Sequence, residues 1–299
     1  MGQISFQGQV AIVTGAGQGL GKSYAKLMAS RGAKVIINDI AKDAENNPIS
    51  VKVAEEINAL GGIAVANHDS ISTMDGAASL KNAALKHFGK IDILVHNAGI
   101  LISKPLNETD ELDWIRVSEV HLNGAFYLIK EICPVMVRNN YGRIVLITSS
   151  TGMFGLSNHI IYSAAKMGVF GLALSLNEEM KDKNILCNLI SPLAGTNQTS
   201  SALNGNMFDM FEPELVAPIT VYLCSSECTS GGTVYVAGGG YFSRIGLFEG
   251  DGVFIGNDSI SIEEIANSIK DITSLDGAVH IASMKSAAKK LLKKVIRNR

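Results

Sequence analysis

Seven short apolar runs punctuate the chain: QVAIVTG, KVIIND, GIAVANHD, IDILVHNAG, GRIVLITSS, ILCNLISP and GGTVYVAGG. Each is nearly continuous in apolar side chains rather than alternating, the pattern of a strand buried on both faces. Between them lie stretches with helical spacing, such as KSYAKLMASRG and VKVAEEINALGG. Strand–helix alternation of this kind predicts an α/β fold, a parallel sheet of seven strands covered by helices on both sides. After about Gly250 the pattern changes. ISIEEIANSIKDI predicts one short helix, and SAAKKLLKKVIRNR a second, basic and amphipathic, with Ala288, Leu291, Leu292 and Val295 on one face. A helix docked on its own protein or on a partner subunit fits this, and so does a membrane-surface helix. The expected organisation is a main domain over residues 1–250 and a small helical extension over 251–299.

Bulk composition narrows the function classes. With 299 residues, 46% hydrophobic and 18% charged, the chain can bury a large core. A net charge of −2 argues against general nucleic-acid binding. No apolar run reaches the roughly 18 residues of a membrane span, and MGQISFQGQVAIV lacks the basic segment of a signal peptide. The four cysteines, Cys133, Cys187, Cys224 and Cys228, show no C-x-x-C spacing and read as buried thiols rather than metal ligands or disulfides.

The first strand runs directly into TGAGQGLG, Thr14 to Gly21, and a helix pattern follows at once. Glycines let the backbone turn tightly and approach a pyrophosphate, which a helix N-terminus favours electrostatically. Placed between strand and helix, the motif points to a dinucleotide and makes the expected sheet Rossmann-like and doubly wound. Gly15, Gln18, Gly19, Leu20 and Gly21 are the candidate contacts. The second strand ends in Asp39, 18 residues past Gly21. A carboxylate there can accept hydrogen bonds from both adenosine ribose hydroxyls and would repel a 2′-phosphate, which favours NAD over NADP. Lys22 could partly offset that repulsion. The third strand ends in Asp69-Ser70, placed to meet the adenine, and the fourth in Asn97-Ala98-Gly99, placed to flank the cofactor.

The candidate chemistry lies in YSAAK. Tyr162 and Lys166 stand four residues apart, about one helical turn, so their side chains share a face. An ammonium beside a phenol favours the phenolate and predicts a lowered tyrosine pKa, suited to proton transfer. Ser149 ends the fifth strand 13 residues earlier, and its hydroxyl can hold a substrate oxygen beside the phenol.

With these residues in order, the chain resembles the short-chain dehydrogenase/reductase family over residues 6 to about 245. TGAGQGLG, Asp39, Asp69, Asn97 to Gly99, Ser149, Tyr162 and Lys166 carry the resemblance. It implies that Tyr162 passes the proton, Lys166 binds the nicotinamide ribose and Ser149 orients the substrate oxygen while the cofactor carries the hydride. It also places Ala194, Gly195, Thr196 and Asn197 in the loop beside the nicotinamide. Most of the family has an asparagine in the fourth helix that completes a proton relay; here, in VHLNGAF, the matching position is His121. A histidine there either relays protons through water or packs as a satisfied core residue.

VHLNGAF, GRIVLITSSTGMFG, NLISPLAGTNQT and PELVAPITVYLCSSECTSGGTVYVAGGGY resemble the (3R)-hydroxyacyl-CoA dehydrogenase unit of the peroxisomal multifunctional enzymes. That resemblance implies an NAD-dependent homodimer that oxidises (3R)-hydroxyacyl-CoA to 3-ketoacyl-CoA in fatty-acid β-oxidation. A hydroxysteroid dehydrogenase or ketoacyl-carrier-protein reductase of the same family is the alternative enzyme, and a non-catalytic NAD or lipid sensor the alternative class. The familiar enzymes continue into a hydratase, so a free-standing dehydrogenase is expected here. The resemblance implies the peroxisome, although Ile296-Arg297-Asn298-Arg299 is not an S-K-L type ending; cytoplasm is the alternative.

Overall fold

The structure is a computed structural model and describes residues 2–196, 199, 206–256 and 259–297. All seven apolar runs are strands: β1 Val10–Thr14, β2 Lys34–Asn38, β3 Ile63–Asn67, β4 Ile93–His96, β5 Gly142–Ile147, β6 Ile185–Pro192 and β7 Val234–Gly238. They pair in parallel. An eighth strand, β8 Tyr241–Ile245, extends the sheet to the order β3-β2-β1-β4-β5-β6-β7-β8. The expectation of seven strands is corrected by this edge strand, which follows β7 through Gly239-Gly240, both at positive φ. Its side chains are mostly exposed, so it carries no apolar run to announce it.

The strand order reverses direction between β1 and β4. In open parallel sheets a ligand crevice opens at such a point, beyond the carboxyl ends of the strands. Helices cover the sheet: α1 Gly19–Ser30, α2 Ile49–Ala59, α3 Met74–Phe88, α4 Glu111–Ser118, α5 Gly124–Arg138, α6 Ser150–Phe154, α7 Ile160–Met180, α8 Asn206–Met210 and α9 Ala217–Leu223. Their ends follow local chemistry. Thr73 caps α3 by accepting the Gly76 N–H, and Gly89 closes it in the left-handed region at φ 78°. Asp110 and Asp113 form a capping box on α4.

Between α4 and α5, Glu119–Asn123 forms a π-helical turn, an extra residue wound into what is otherwise a continuous helix. The helix α7 is long and apolar enough to cross a membrane by length and composition alone, which no contiguous run suggested. Its buried stripe of Ile161, Ala165, Val169, Ala173 and Leu176 has the i, i+3/i+4 spacing of a helix laid on a sheet, and the helix packs against β5 and β6. The core around β1, β2 and β4 is closed by fully buried Ile12, Ile36, Leu94, Tyr24 and Met28. Truncating one such large aliphatic side chain to alanine costs about 2–5 kcal/mol. The four cysteines are buried thiols.

The chain divides into two compact units, residues 1–244 and 245–299. The second contains α10 Ile262–Thr273, α11 Met284–Arg297 and a two-stranded antiparallel ribbon of β9 Phe248–Glu249 with β10 Val279–His280. The extension is therefore not purely helical. Ser261 and Glu264 cap α10, while Lys290 and Lys294 pair with Glu249 and Asp251.

Candidate active site

The turn after β1 is held by one hydroxyl. Thr14 Oγ1 accepts the N–H groups of Asn97 at 3.2 Å and Ala98 at 3.1 Å, and lies 3.1 Å from His96 Nδ1. The Asn97 amide returns to the carbonyls of Thr14 and Gly15 at 3.2 and 3.0 Å. The ends of β1 and β4 are thus braced against each other. Gly15 sits at φ 61°, and a Cβ there would come within 2.7 Å of the Ala98 Cα, so only glycine permits this approach. A cleft of about 450 Å³ opens above it, within the usual range for small-molecule sites.

Of the cofactor-side residues expected from sequence, Gly15, Gln18, Gly19, Leu20, Asp39, Ser70, Asn97, Ala98, Gly99, Gly195 and Thr196 line that cleft. Three do not. Gly21 stands behind the wall, where a Cβ would meet the Gly15 carbonyl at 2.2 Å, so it packs α1 onto the loop. Asp69 accepts the Asn67 side-chain amide at 2.7 Å, part of a network in which Asn38 donates to Asn67 and to the Asp69 carbonyl. Ala194 is buried beneath its neighbours. Asn197 lies outside the described residues. Asp39 accepts the Gly17 and Ala41 N–H groups, each at 2.9 Å, one on each carboxylate oxygen. Its carboxylate is therefore fixed at the cleft wall beside the glycine turn.

Ser149 and the residues of YSAAK stand outside that lining. Ser149, at the end of β5, accepts the Thr151 N–H at 3.1 Å, which starts α6 and fixes its hydroxyl. Its hydroxyl is close enough to the Tyr162 phenol to favour the phenolate. Lys166 is buried and donates to the Ile147 carbonyl at 2.6 Å, with its Nζ 5.6 Å from the Tyr162 ring centre. Thr148 ties the same strand end to α7 by donating to the Lys166 carbonyl at 3.0 Å. Sequence reasoning brings Ser149, Tyr162 and Lys166 together, and the fold does so.

The electrostatics differ from expectation. Burial pushes the Tyr162 phenol above its ordinary value, and the neighbouring Ser149 hydroxyl only tempers that rise. Burial also pulls Lys166 down to about 7. The expected lowering of Tyr162 by Lys166 is not present, because the buried ammonium is itself disfavoured and its proton is engaged by Ile147.

His121 occupies the π-turn and is buried. Its Nε2 lies 2.8 Å from the Ile100 carbonyl and 3.1 Å from the Ile100 N–H. A single ring nitrogen serves one of these at a time, and the shorter contact is donation to the carbonyl. Nδ1 has no partner among the described residues. Burial, then the Lys166 charge, hold the imidazole well below its ordinary pKa. The ring touches Gly99 on one side and stands edge-on to Tyr162 on the other, but it does not line the cleft.

Sequence reasoning missed His96 and the Ile147 carbonyl. The first was hidden inside HNAG and the second carries no side-chain signal.

A glycine turn at a strand-order reversal, with serine, tyrosine and lysine at the adjoining strand end and helix, defines a nucleotide-dependent oxidoreductase of the short-chain type. The chain belongs to the short-chain dehydrogenase family, whose profile matches residues 9–205. It is 37% identical over 97% of its length to the peroxisomal multifunctional enzyme type 2 of Drosophila melanogaster, and spans 49% of that protein. It is 39% identical to a short-chain type dehydrogenase/reductase of Mycobacterium tuberculosis, over 91% of this chain and 96% of that one. The structure of the full-length fly enzyme superposes with a TM-score of 0.82 and 34% identity, over 97% of this chain and 50% of the other. The chain thus spans about half the length of its fly relative.

Proposed function

We propose that this chain is an NAD-dependent (3R)-hydroxyacyl-CoA dehydrogenase that forms 3-ketoacyl-CoA in fatty-acid β-oxidation. The observation that carries the chemistry is the Tyr162 phenol next to Ser149 and to buried Lys166, whose Nζ lies 5.6 Å from the Tyr162 ring centre. The substrate class rests on the extent of the likeness to the fly enzyme, which runs through the second unit as well as the first.

The residues at the cleft suit a dinucleotide. Gly15 and Gly19 present backbone at positive φ, and the N-terminus of α1 faces the cleft without a side-chain cap. This arrangement favours a pyrophosphate. Asp39 suits a ribose diol and disfavours a 2′-phosphate, which supports NAD. Gly195 and Thr196 would flank the nicotinamide end. When bound, the dinucleotide supplies the hydride acceptor.

The chain's own side chains handle the oxygen and its proton. Ser149, fixed by Thr151, holds the substrate hydroxyl. Tyr162, in its phenolate form, takes the hydroxyl proton as the carbon–oxygen double bond forms. Lys166, anchored on Ile147, sets the charge beside the phenol and would bind the nicotinamide ribose. In this reading His121 is a positioning residue that pins Ile100 to the π-turn rather than a relay through the cleft.

The same reading includes a homodimer in the peroxisome. Leu112, Trp114 and Ile115 on α4 and Phe126 on α5 are large apolar side chains left exposed, which supports burial against a second copy. Turnover of (3R)-hydroxyacyl-CoA with NAD, and none with the (3S) isomer, tests the assignment.

A further inference from the structure

His96 is buried at the end of β4 and belongs to neither the hydride nor the proton chemistry. Its two ring nitrogens reach opposite sides of the site. Nδ1 is 3.1 Å from Thr14 Oγ1 in the glycine turn, and Nε2 is 3.2 Å from the His121 carbonyl in the π-turn. The direction of both bonds is determined. Thr14 Oγ1 already accepts two N–H groups, from Asn97 and Ala98, so its single proton goes to Nδ1. A carbonyl only accepts, so Nε2 carries the ring proton and donates. Two independent contacts select the same neutral tautomer.

We propose that His96 is a positioning residue that locks the cofactor turn to the catalytic helix segment through this one tautomer. Thr14 precedes Gly15 at the cleft floor, and the π-turn carries His121 against Tyr162. The imidazole is the rigid strut between them. Lys166 on α7 and the His121 ring are the charged or titratable groups facing it. This inference rests on the dinucleotide reading of the cleft, not on the acyl-CoA substrate.

The two halves of the strut separate by substitution. An asparagine amide reaches the place of Nδ1, and a glutamine amide the place of Nε2. The measurements are NADH affinity by fluorescence titration and, separately, kcat in the wild type and in His96→Asn, His96→Gln and His96→Leu. His96→Leu strands buried groups on both sides, with an expected loss of about tenfold in NADH affinity and about tenfold in kcat. His96→Asn keeps affinity near wild type while kcat falls, and His96→Gln keeps kcat better than His96→Asn. If His96→Leu does not fold, the Asn and Gln variants carry the comparison. Wild-type behaviour of His96→Leu, or identical profiles for the Asn and Gln variants, overturns the strut. Wild-type protein that binds no NADH overturns the dinucleotide reading instead.

Discussion

His121 stands edge-on to Tyr162, with ring centres 5.3 Å apart and planes at 89°. The contact ties the proton-handling phenol to a histidine whose Nε2 is engaged by the Ile100 backbone. An asparagine amide can donate to the Ile100 carbonyl and accept its N–H at once, which a single imidazole nitrogen cannot. His121→Asn is therefore expected to keep activity, whereas His121→Leu leaves that peptide unpaired and costs about 1–3 kcal/mol in denaturant unfolding. Full loss of turnover in a folded His121→Asn enzyme would point instead to proton relay by the imidazole.

Tyr162→Phe removes the hydroxyl but keeps the ring that packs on His121. Turnover should fall by about 10²–10⁴-fold, the usual contribution of a positioned acid or base. NADH affinity should stay unchanged, since the glycine turn and Asp39 are untouched. Stopped-flow turnover and a binding titration on the same preparation check both halves.

Asp39 holds the Gly17 N–H and meets the cleft with its carboxylate. Asp39→Ala removes the charge that repels a 2′-phosphate. The ratio of kcat/KM for NAD to that for NADP should drop by about tenfold or more, since a like-charge contact is worth over 1.4 kcal/mol when partly desolvated. An unchanged ratio would locate cofactor choice elsewhere.

Acid should weaken the fold through the two buried histidines. His96 is pulled from 6.5 to about 4, chiefly by burial and then by the Lys166 charge, and His121 is also held low. Unfolded, both are more basic, so the unfolded chain binds more protons and stability falls as pH drops from about 6.5 toward 4. Urea unfolding across that window should show this slope, and His96→Asn should flatten part of it. Lys166, pulled down to about 7, acts at the other end: stability should rise with pH above about 7, as the unfolded ammonium retains a proton the folded amine has lost.

The fold was legible because buried parallel strands leave continuous apolar runs, and all seven such runs are strands of the sheet. The edge strand β8 was not, since an exposed strand after three glycines has no apolar run to read. The ribbon of Phe248–Glu249 with Val279–His280 escaped for the same reason, its partners being two residues long and distant in sequence. Ser149, Tyr162, Lys166 and the glycine turn were legible because spacing on a helix and position at a strand end determine their meeting. The raised Tyr162 and lowered Lys166 were not, because desolvation depends on what the fold packs around them. The π-turn at His121 left no mark either, since an extra residue in a helix changes geometry without changing pattern.

The central claim is tested most directly by NADH formation with (3R)- and (3S)-hydroxyacyl-CoAs of several chain lengths, with estradiol as substrate control and NADP as cofactor control. The account predicts turnover of the (3R) thioesters with NAD, weak use of NADP and none of the (3S) series. Turnover of estradiol without any acyl-CoA turnover would contradict it.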